Sequence, residues 1–294
     1  MANNFLYKFS ALAVTIAALT GCGGNDSAVS TKTAYFIDSA VEGLEYSSGS
    51  TTGVTGTDGS FKYEDGKPVT FKIGGLNLGS LTVTNSRVFP VDLVSGATDE
   101  TNSAVTLMAK ILQTLDSDGD SSNGITITSS ARQAITQTIQ LASTDPAAAT
   151  TAINQFIASA TSGNSALGKH TSLISDGTAQ AHLKGNLLQQ YAGTWTGSYT
   201  GNDTGTCTFT ITPSVATAAS PSATIAGSCS STQFSAQQGG LGTLSAMNFP
   251  SSGSFRGALS NGATFIGNFA RNGTMTGTWS NGTSYSGAWT LTKQ

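Results

Sequence analysis

The densest run of aspartates in the chain is Asp116-Ser117-Asp118-Gly119-Asp120-Ser121-Ser122-Asn123-Gly124-Ile125. Carboxylates at alternate positions of a turning loop can aim several hard oxygens at one point, which is what Ca²⁺ needs to fill its coordination shell. Asp116, Asp118, Asp120 and Asn123 are therefore candidate ligands for a weakly held calcium ion, and no other cofactor is required. The same residues also read as a solvated Asp/Gly turn that stops a helix ending near Leu115. Nucleophilic catalysis needs a base beside its Ser, Thr or Cys, and His170 and His182 are the only histidines. Among 83 serines and threonines a hydroxyl near an imidazole carries little weight, and the Gly-x-Ser-x-Gly elbow is absent. The expectation is a protein that is not an enzyme.

The composition restricts the partners. The chain has 294 residues, 10% of them charged, with 13 Lys and Arg against 16 Asp and Glu for a net charge of −3. No basic footprint is available to displace counterions, which argues against nucleic acid. Hydrophobic residues make up 38%, enough to build cores in spite of the polar composition.

The Asp116 loop resembles an EF-hand or dockerin calcium loop in its Asp-x-Asp-x-Asp start. It departs from that pattern by placing Gly119 fourth, not sixth, and Ile127 twelfth, where a bidentate Glu is expected.

The N-terminus carries Lys8, a short apolar run from Ala11 to Ala18, and then Leu19-Thr20-Gly21-Cys22. That order is a signal peptide over residues 1–21, too short to span a bilayer as a permanent helix. Leu-Thr-Gly-Cys resembles the bacterial lipobox, and the resemblance implies cleavage before Cys22 and acylation of its sulfur and new terminus. Each buried methylene of an acyl chain contributes about 0.8 kcal/mol, so several chains fix the protein to a bilayer. Gly23 and Gly24 follow with no acidic residue, which in enterobacterial lipoproteins implies delivery to the outer membrane. Residues 22–33 read as a flexible tether. Export also makes a disulfide the default for the remaining pair, Cys207 and Cys229.

The mature chain divides into three regions, giving a multi-domain α+β protein. Over 34–98 short alternating segments such as Tyr35-Phe36-Ile37, Phe61-Lys62-Tyr63 and Val69-Thr70-Phe71 predict a small antiparallel β-sandwich. The order Ala40-Val41-Glu42-Gly43-Leu44 followed by Thr57-Asp58-Gly59-Ser60-Phe61 resembles the carboxypeptidase-regulatory-like, transthyretin-type module, which implies a spacer or binding element. Over 99–190 the apolar period becomes helical. Val105, Met108, Leu112 and Leu115 form one stripe; Ala131, Ile135 and Ile139 a second; Ile153, Phe156 and Ile157 a third; Leu183, Leu187 and Leu188 a fourth.

From Tyr191 to Gln294 the only charges are Asp203, Arg256, Arg271 and Lys293. A ten-residue repeat sets Gly257, Gly267, Gly277 and Gly287 in register with Phe269, Trp279 and Trp289. Asn261-Gly262, Asn272-Gly273 and Asn281-Gly282 predict type I′ hairpin turns between strands. The meander closes into a small barrel whose rows point aromatic, Gly, aromatic to one side: Trp195/Gly197/Tyr199, Phe265/Gly267/Phe269 and Tyr285/Gly287/Trp289. Trp195, Tyr199, Phe265, Phe269, Trp279, Tyr285 and Trp289 are candidate residues for a small apolar ligand. Gly193-Thr194-Trp195 resembles the Gly-x-Trp opening of lipocalin-like (calycin) barrels, which implies a carrier of apolar ligands or an inhibitor of a hydrolase. Lys293, nearly terminal, offers no clear counterpart of that family's closing basic residue. The leading expectation is a non-enzymatic lipoprotein of the outer membrane, acting in binding or adhesion toward a protein or glycan, with the apolar-ligand carrier as the alternative.

Overall fold

The computed structural model describes residues 29–294 except 137, 142–144, 162–168, 217–218, 233–240 and 283. The expected signal peptide over residues 1–21 and the expected acylation site Cys22 lie outside these described residues.

β1 (Thr31–Phe36), β2 (Val41–Glu42), β3 (Glu45–Ser48), β4 (Thr51–Val54), β5 (Ser60–Glu64), β6 (Pro68–Ile73), β7 (Leu76–Thr82) and β8 (Arg87–Val88) come first. They build a three-stranded sheet, β5-β1-β8, facing a larger one that contains β7-β6-β3-β4. Thr31, Lys32 and Thr33, read from sequence as the end of the tether, already pair with Glu64, Tyr63 and Lys62. Between the sheets the rings of Phe36 and Phe61 each meet Phe71 edge-on at 4.9 Å.

α1 (Ser103–Thr114) starts where Asn102 Oδ1 accepts from the N–H groups of Ala104 and Val105. β9 (Ile125–Thr126), α2 (Ser129–Ala134), β10 (Ile139–Gln140), α3 (Pro146–Thr161) and α4 (Asp176–Tyr191) follow. The second helical stripe is only half right, because α2 ends at Ala134 and Ile139 belongs to a strand. Ile135, Thr136, Thr138 and Ile139 are β-branched, and the edge of the larger sheet offers them a ladder. Gly75 N–H donates to Ile135 O at 2.6 Å and Ile139 N–H to Gly75 O at 3.3 Å. β8, β10 and β9 join β1, β7 and β2 in parallel, so the sandwich is not purely antiparallel; the helical region supplies β10 as an edge strand of the larger sheet and β9 as the partner of β2 in a small separate sheet. One core runs through sandwich and helices from Ala34 to Leu187.

The C-terminal unit is β11 (Gly193–Gly201), β12 (Gly205–Pro213), β13 (Ala223–Ser231), β14 (Leu241–Asn248), β15 (Ser254–Ala258), β16 (Thr264–Phe269), β17 (Thr274–Asn281) and β18 (Tyr285–Lys293). They form one antiparallel sheet in the order β14-β13-β12-β11-β18-β17-β16-β15, a meander whose first and last strands pair. It is nearly closed. At the seam Ser260 N–H donates to Thr243 O at 2.8 Å and Thr243 N–H to Ser260 Oγ at 3.1 Å. Cys207 and Cys229 face each other on β12 and β13 and are joined by a disulfide.

The hairpin turns differ from the expected type. Gly262 and Gly273 have φ of 87° and 84°, but Asn261 and Asn272 do not have positive φ. Gly262 N–H bonds Leu259 O and Gly273 N–H bonds Ala270 O, so each is a type I turn closed by a glycine bulge. The Asn side chain works forward, since Asn272 Oδ1 accepts from Thr274 N–H at 3.0 Å. Asp58-Gly59 repeats the arrangement in the sandwich, with Ser60 N–H on Asp58 Oδ1 at 2.9 Å.

Candidate functional site

α4 belongs to both cores: Ala179, Leu183 and Leu187 face the sandwich and helices, Leu188 and Tyr191 the barrel. Only Ala192 separates it from β11, and Trp195 Nε1 donates back to Tyr191 O at 2.9 Å. The helix therefore holds the two units together and leaves a polar groove between them. Clefts of about 440 Å³ and 330 Å³ share Thr84, Asn85, Arg271 and Asn272; the larger adds Gln190, Lys293 and Gln294. A third, of about 160 Å³, shares Thr84 and Asn85 and reaches Arg87.

The groove is electropositive. Arg271 pairs with Asp92, whose other oxygen accepts from Phe89 N–H at 2.8 Å. Burial works against the Arg271 charge, but the Asp92 carboxylate together with the Tyr191 hydroxyl outweighs this and raises its pKa. Lys293 Nζ donates to Gln190 O at 2.9 Å, and burial, helped by the like charge of Arg87, lowers its pKa. Gln190 spans the junction: its Nε2 reaches Arg271 O at 3.1 Å and its Oε1 lies 3.4 Å from Arg87 Nη1. Asn85 Oδ1 and Arg271 Nε are buried without a hydrogen-bond partner. Leaving them buried and unpaired is costly.

The barrel rows are placed as expected, apart from one ring. Trp195, Tyr199, Phe265, Phe269, Trp279 and Trp289 are buried. Their partners are each other: Trp289 lies 4.9 Å from Phe265, 5.8 Å from Phe209 and Phe255 and 6.2 Å from Phe269, and Trp195 lies 4.9 Å from Phe269. Glycines of the repeat oppose rings, as Gly277 opposes Trp289 and Gly287 opposes Trp279. A Cβ on Gly277 would come within 2.3 Å of the Trp289 indole nitrogen. Tyr285 departs from the inward row. It opens β18 opposite Asn281 at the barrel rim and is 44% exposed. Tyr199 donates to Asp203 Oδ2 at 2.8 Å, and burial with that bond pushes its pKa up to about 12. Lys293 is the register partner of Trp195, so the nearly terminal cation does lie beside the opening tryptophan.

Outside the barrel the strands present hydroxyls in rows. Thr206, Ser198, Thr290, Thr276, Asn268 and Ser254 are successive cross-strand partners over six adjacent strands, all exposed.

The Asp116 loop is largely self-contained. Asp118 Oδ1 accepts from Asp120 N–H and its Oδ2 from Asn123 Nδ2; Asp120 Oδ1 accepts from Ser122 N–H and Oγ. Asp120 thus caps the turn at Ser121–Asn123. Asp116 is buried, takes Thr126 N–H on Oδ1 at 2.8 Å, and has its pKa pushed up to about 6 by burial and by Asp118. Among the described residues no group of three or more His, Cys, Asp or Glu converges as a metal cluster.

Beside the loop lies a buried polar cluster. His182 Nε2 is 3.2 Å from both Ser39 Oγ and Asp38 O and 3.6 Å from Asp38 Oδ1; Nδ1 is 3.4 Å from Ser121 Oγ. Ser39 has φ 58°, in the left-handed region. Burial raises the Asp38 pKa, opposed by His182 and by Gln113, whose Nε2 donates to Asp38 Oδ2 at 3.0 Å. These groups could form a relay in outline, but the Ser122 N–H beside Ser121, which an oxyanion would need, is held by Asp120. The cluster ties α1 and α4 to the turn after β1.

Sequence reasoning missed Asn85, Arg87, Arg271 and Lys293 as a group, because they come from three segments far apart in the chain. The scarcity of charge was the available signal, since two of the barrel's three cations meet at this groove. No helix among the described residues is long and apolar enough to cross a membrane. The fold and site together define a two-unit α+β protein in which a nearly closed eight-stranded barrel is docked by a shared helix. No protein-family model matches the chain, and no curated protein or solved structure matches it either.

Proposed function

We propose that this protein is a non-enzymatic binding module of a bacterial envelope, anchored to the outer membrane through acylated Cys22, whose junction groove takes an acidic, hydroxyl-rich ligand such as a glycan bearing carboxylates. The groove carries this reading: Arg271 and Lys293 supply positive charge, and the amides of Asn85, Gln190, Asn272 and Gln294 line it. Side-chain amides both donate to and accept from sugar hydroxyls, and a carboxylate answers the charge. The uncharged hydroxyl rows of the barrel extend the same chemistry over its outer face. Lys8, the apolar run and Leu19-Thr20-Gly21-Cys22 support the anchor. The apolar-ligand alternative gains little, because the candidate rings inside the barrel pack on one another.

Isothermal titration of the chain in EGTA with an oligogalacturonate, and with a neutral maltooligosaccharide of equal length, tests the groove. The acidic sugar should bind and the neutral one bind at least tenfold more weakly. Lys293→Ala should weaken the acidic sugar about tenfold, on the order of 1.4 kcal/mol. Equal affinity for both sugars, or an unchanged Lys293→Ala variant, removes the proposal.

A further inference from the structure

Among the described residues Ser39 is the one non-glycine residue with a positive φ, and it shares with Asp38 the tight turn between the bridged residues Ile37 and Ala40. His182 Nε2 lies 3.2 Å from Ser39 Oγ and 3.2 Å from Asp38 O, so one ring nitrogen touches the hydroxyl and the carbonyl on either side of a single peptide bond. The protons on that ring follow from its neighbours. Asn186 Nδ2 can only donate; it lies 3.3 Å from Nε2 and also donates to His182 O at 3.1 Å, so Nε2 carries the lone pair. Nδ1 then carries the hydrogen and donates to Ser121 Oγ at 3.4 Å. Ser39 therefore donates to Nε2, the arrangement that activates a serine. Asp38 Oδ1, buried and without a hydrogen-bond partner, lies 3.6 Å from the same nitrogen, so a proton leaving Ser39 arrives beside a carboxylate.

We propose that the chain cuts its own backbone between Asp38 and Ser39, with the Ser39 hydroxyl as nucleophile and His182 as base. Ser39 Oγ bonds to the Asp38 carbonyl carbon through a small ring while Nε2 takes the hydroxyl proton. The peptide C–N bond then breaks, its electron pair and the Nε2 proton go to the Ser39 nitrogen, and an ester joins Asp38 to Ser39 Oγ. Water adds to the ester and expels the hydroxyl. The net change is one water consumed, a new carboxylate on Asp38 and a new amine on Ser39. Ser39 and His182 are half-buried, which leaves the ester open to water. The left-handed backbone at Ser39 favours the cut, because opening the peptide bond releases a conformation that side chains disfavour. Each chain is cut once, with no turnover of an outside substrate. The piece ending at Asp38 stays in place through the ladders of β1 with β5 and β8. The cut is independent of the groove; with Cys22 as the anchor, it leaves the rest of the protein held to the lipid-bearing piece by those ladders alone.

The test is intact mass spectrometry of the purified full chain under denaturing conditions, after incubation with and without hydroxylamine, which captures an ester. The wild type should yield two pieces whose masses sum to that of the chain plus one water, the larger beginning at Ser39. Hydroxylamine should speed the cut at this boundary and leave a hydroxamate on Asp38. Ser39→Gly, which suits the positive φ and lacks the hydroxyl, should melt at or above the wild type and stay whole. His182→Gln should slow the cut about a hundredfold. The proposal is overturned if the wild type stays whole in hydroxylamine, or if Ser39→Gly is cut at the same bond. A wild-type rate in His182→Gln overturns it equally, because the ring nitrogen would then take no part and the cluster would be purely structural.

Discussion

Asp38 is a fully buried carboxylate between His182 of α4 and Gln113 of α1, with its Oδ1 unpartnered. Its folded pKa is raised by burial, so its contribution favours the fold below the unfolded value of 3.8 and is lost as pH rises through the folded pKa. Asp38→Asn keeps an acceptor for Gln113 without the charge. Its Tm relative to the wild type should therefore increase from pH 4 to pH 8, and a difference constant across that range would refute this assignment. Sequence could not mark Asp38, which sits in an ordinary strand-and-turn pattern; only the return of α4 past the turn brings His182 to it. The Asp116 loop was legible as a turn, a helix stop and a possible ion site. Which of its carboxylates face inward was not, because that depends on β9 pairing with β2 more than eighty residues earlier.

At the level of elements, the ten-residue repeat has a physical meaning. It sets a glycine opposite a large ring on the next strand, so the indole of Trp289 lies over Gly277 and donates to Ile266 O at 3.2 Å, while Trp279 over Gly287 donates to Thr200 O at 2.9 Å. Gly277→Val should cost about 2–3 kcal/mol in denaturant unfolding, since its Cβ meets both the Trp289 ring and Ile266 O. A cost below about 1 kcal/mol would mean the ring has another place to go. Reducing Cys207–Cys229, separated by 22 residues, should lower barrel stability by about 3 kcal/mol in the chain-entropy picture, measured by unfolding with and without dithiothreitol. The antiparallel meander, its inward faces apart from Tyr285, and the pairing of the two cysteines were readable, because side-chain alternation and Asn-Gly turns are local signals. The turn type was misread since an Asn side chain that bonds forward relieves the need for positive φ at its own residue. β10 was misread because its β-branched residues fit both a sparse helical stripe and a sheet edge.

Across the whole molecule, α4 is the organising feature: one face closes the first core and its last turn closes the barrel, so the two units meet at a fixed distance. Arg271–Asp92 and Ser251 Oγ to Glu100 Oε2 at 2.5 Å hold the remaining contact. Asp92→Ala should free Arg271 and loosen the junction, costing about 1–3 kcal/mol for a buried cation left without its partner, as read from chemical unfolding. Neither the shared helix nor the groove could be read beforehand, because period alone separates helix from strand but does not say which two cores a stripe will serve. A single measurement joins anchor and groove: capture of fluorescent oligogalacturonate by intact cells producing the wild type, Cys22→Ser or Lys293→Ala. Cells with the wild type should retain the label, while Cys22→Ser cells lose it together with the protein and Lys293→Ala cells keep the protein but lose most of the label. Retention by Cys22→Ser cells, or equal labelling of wild-type and Lys293→Ala cells, would contradict a lipid-held receptor for acidic glycans.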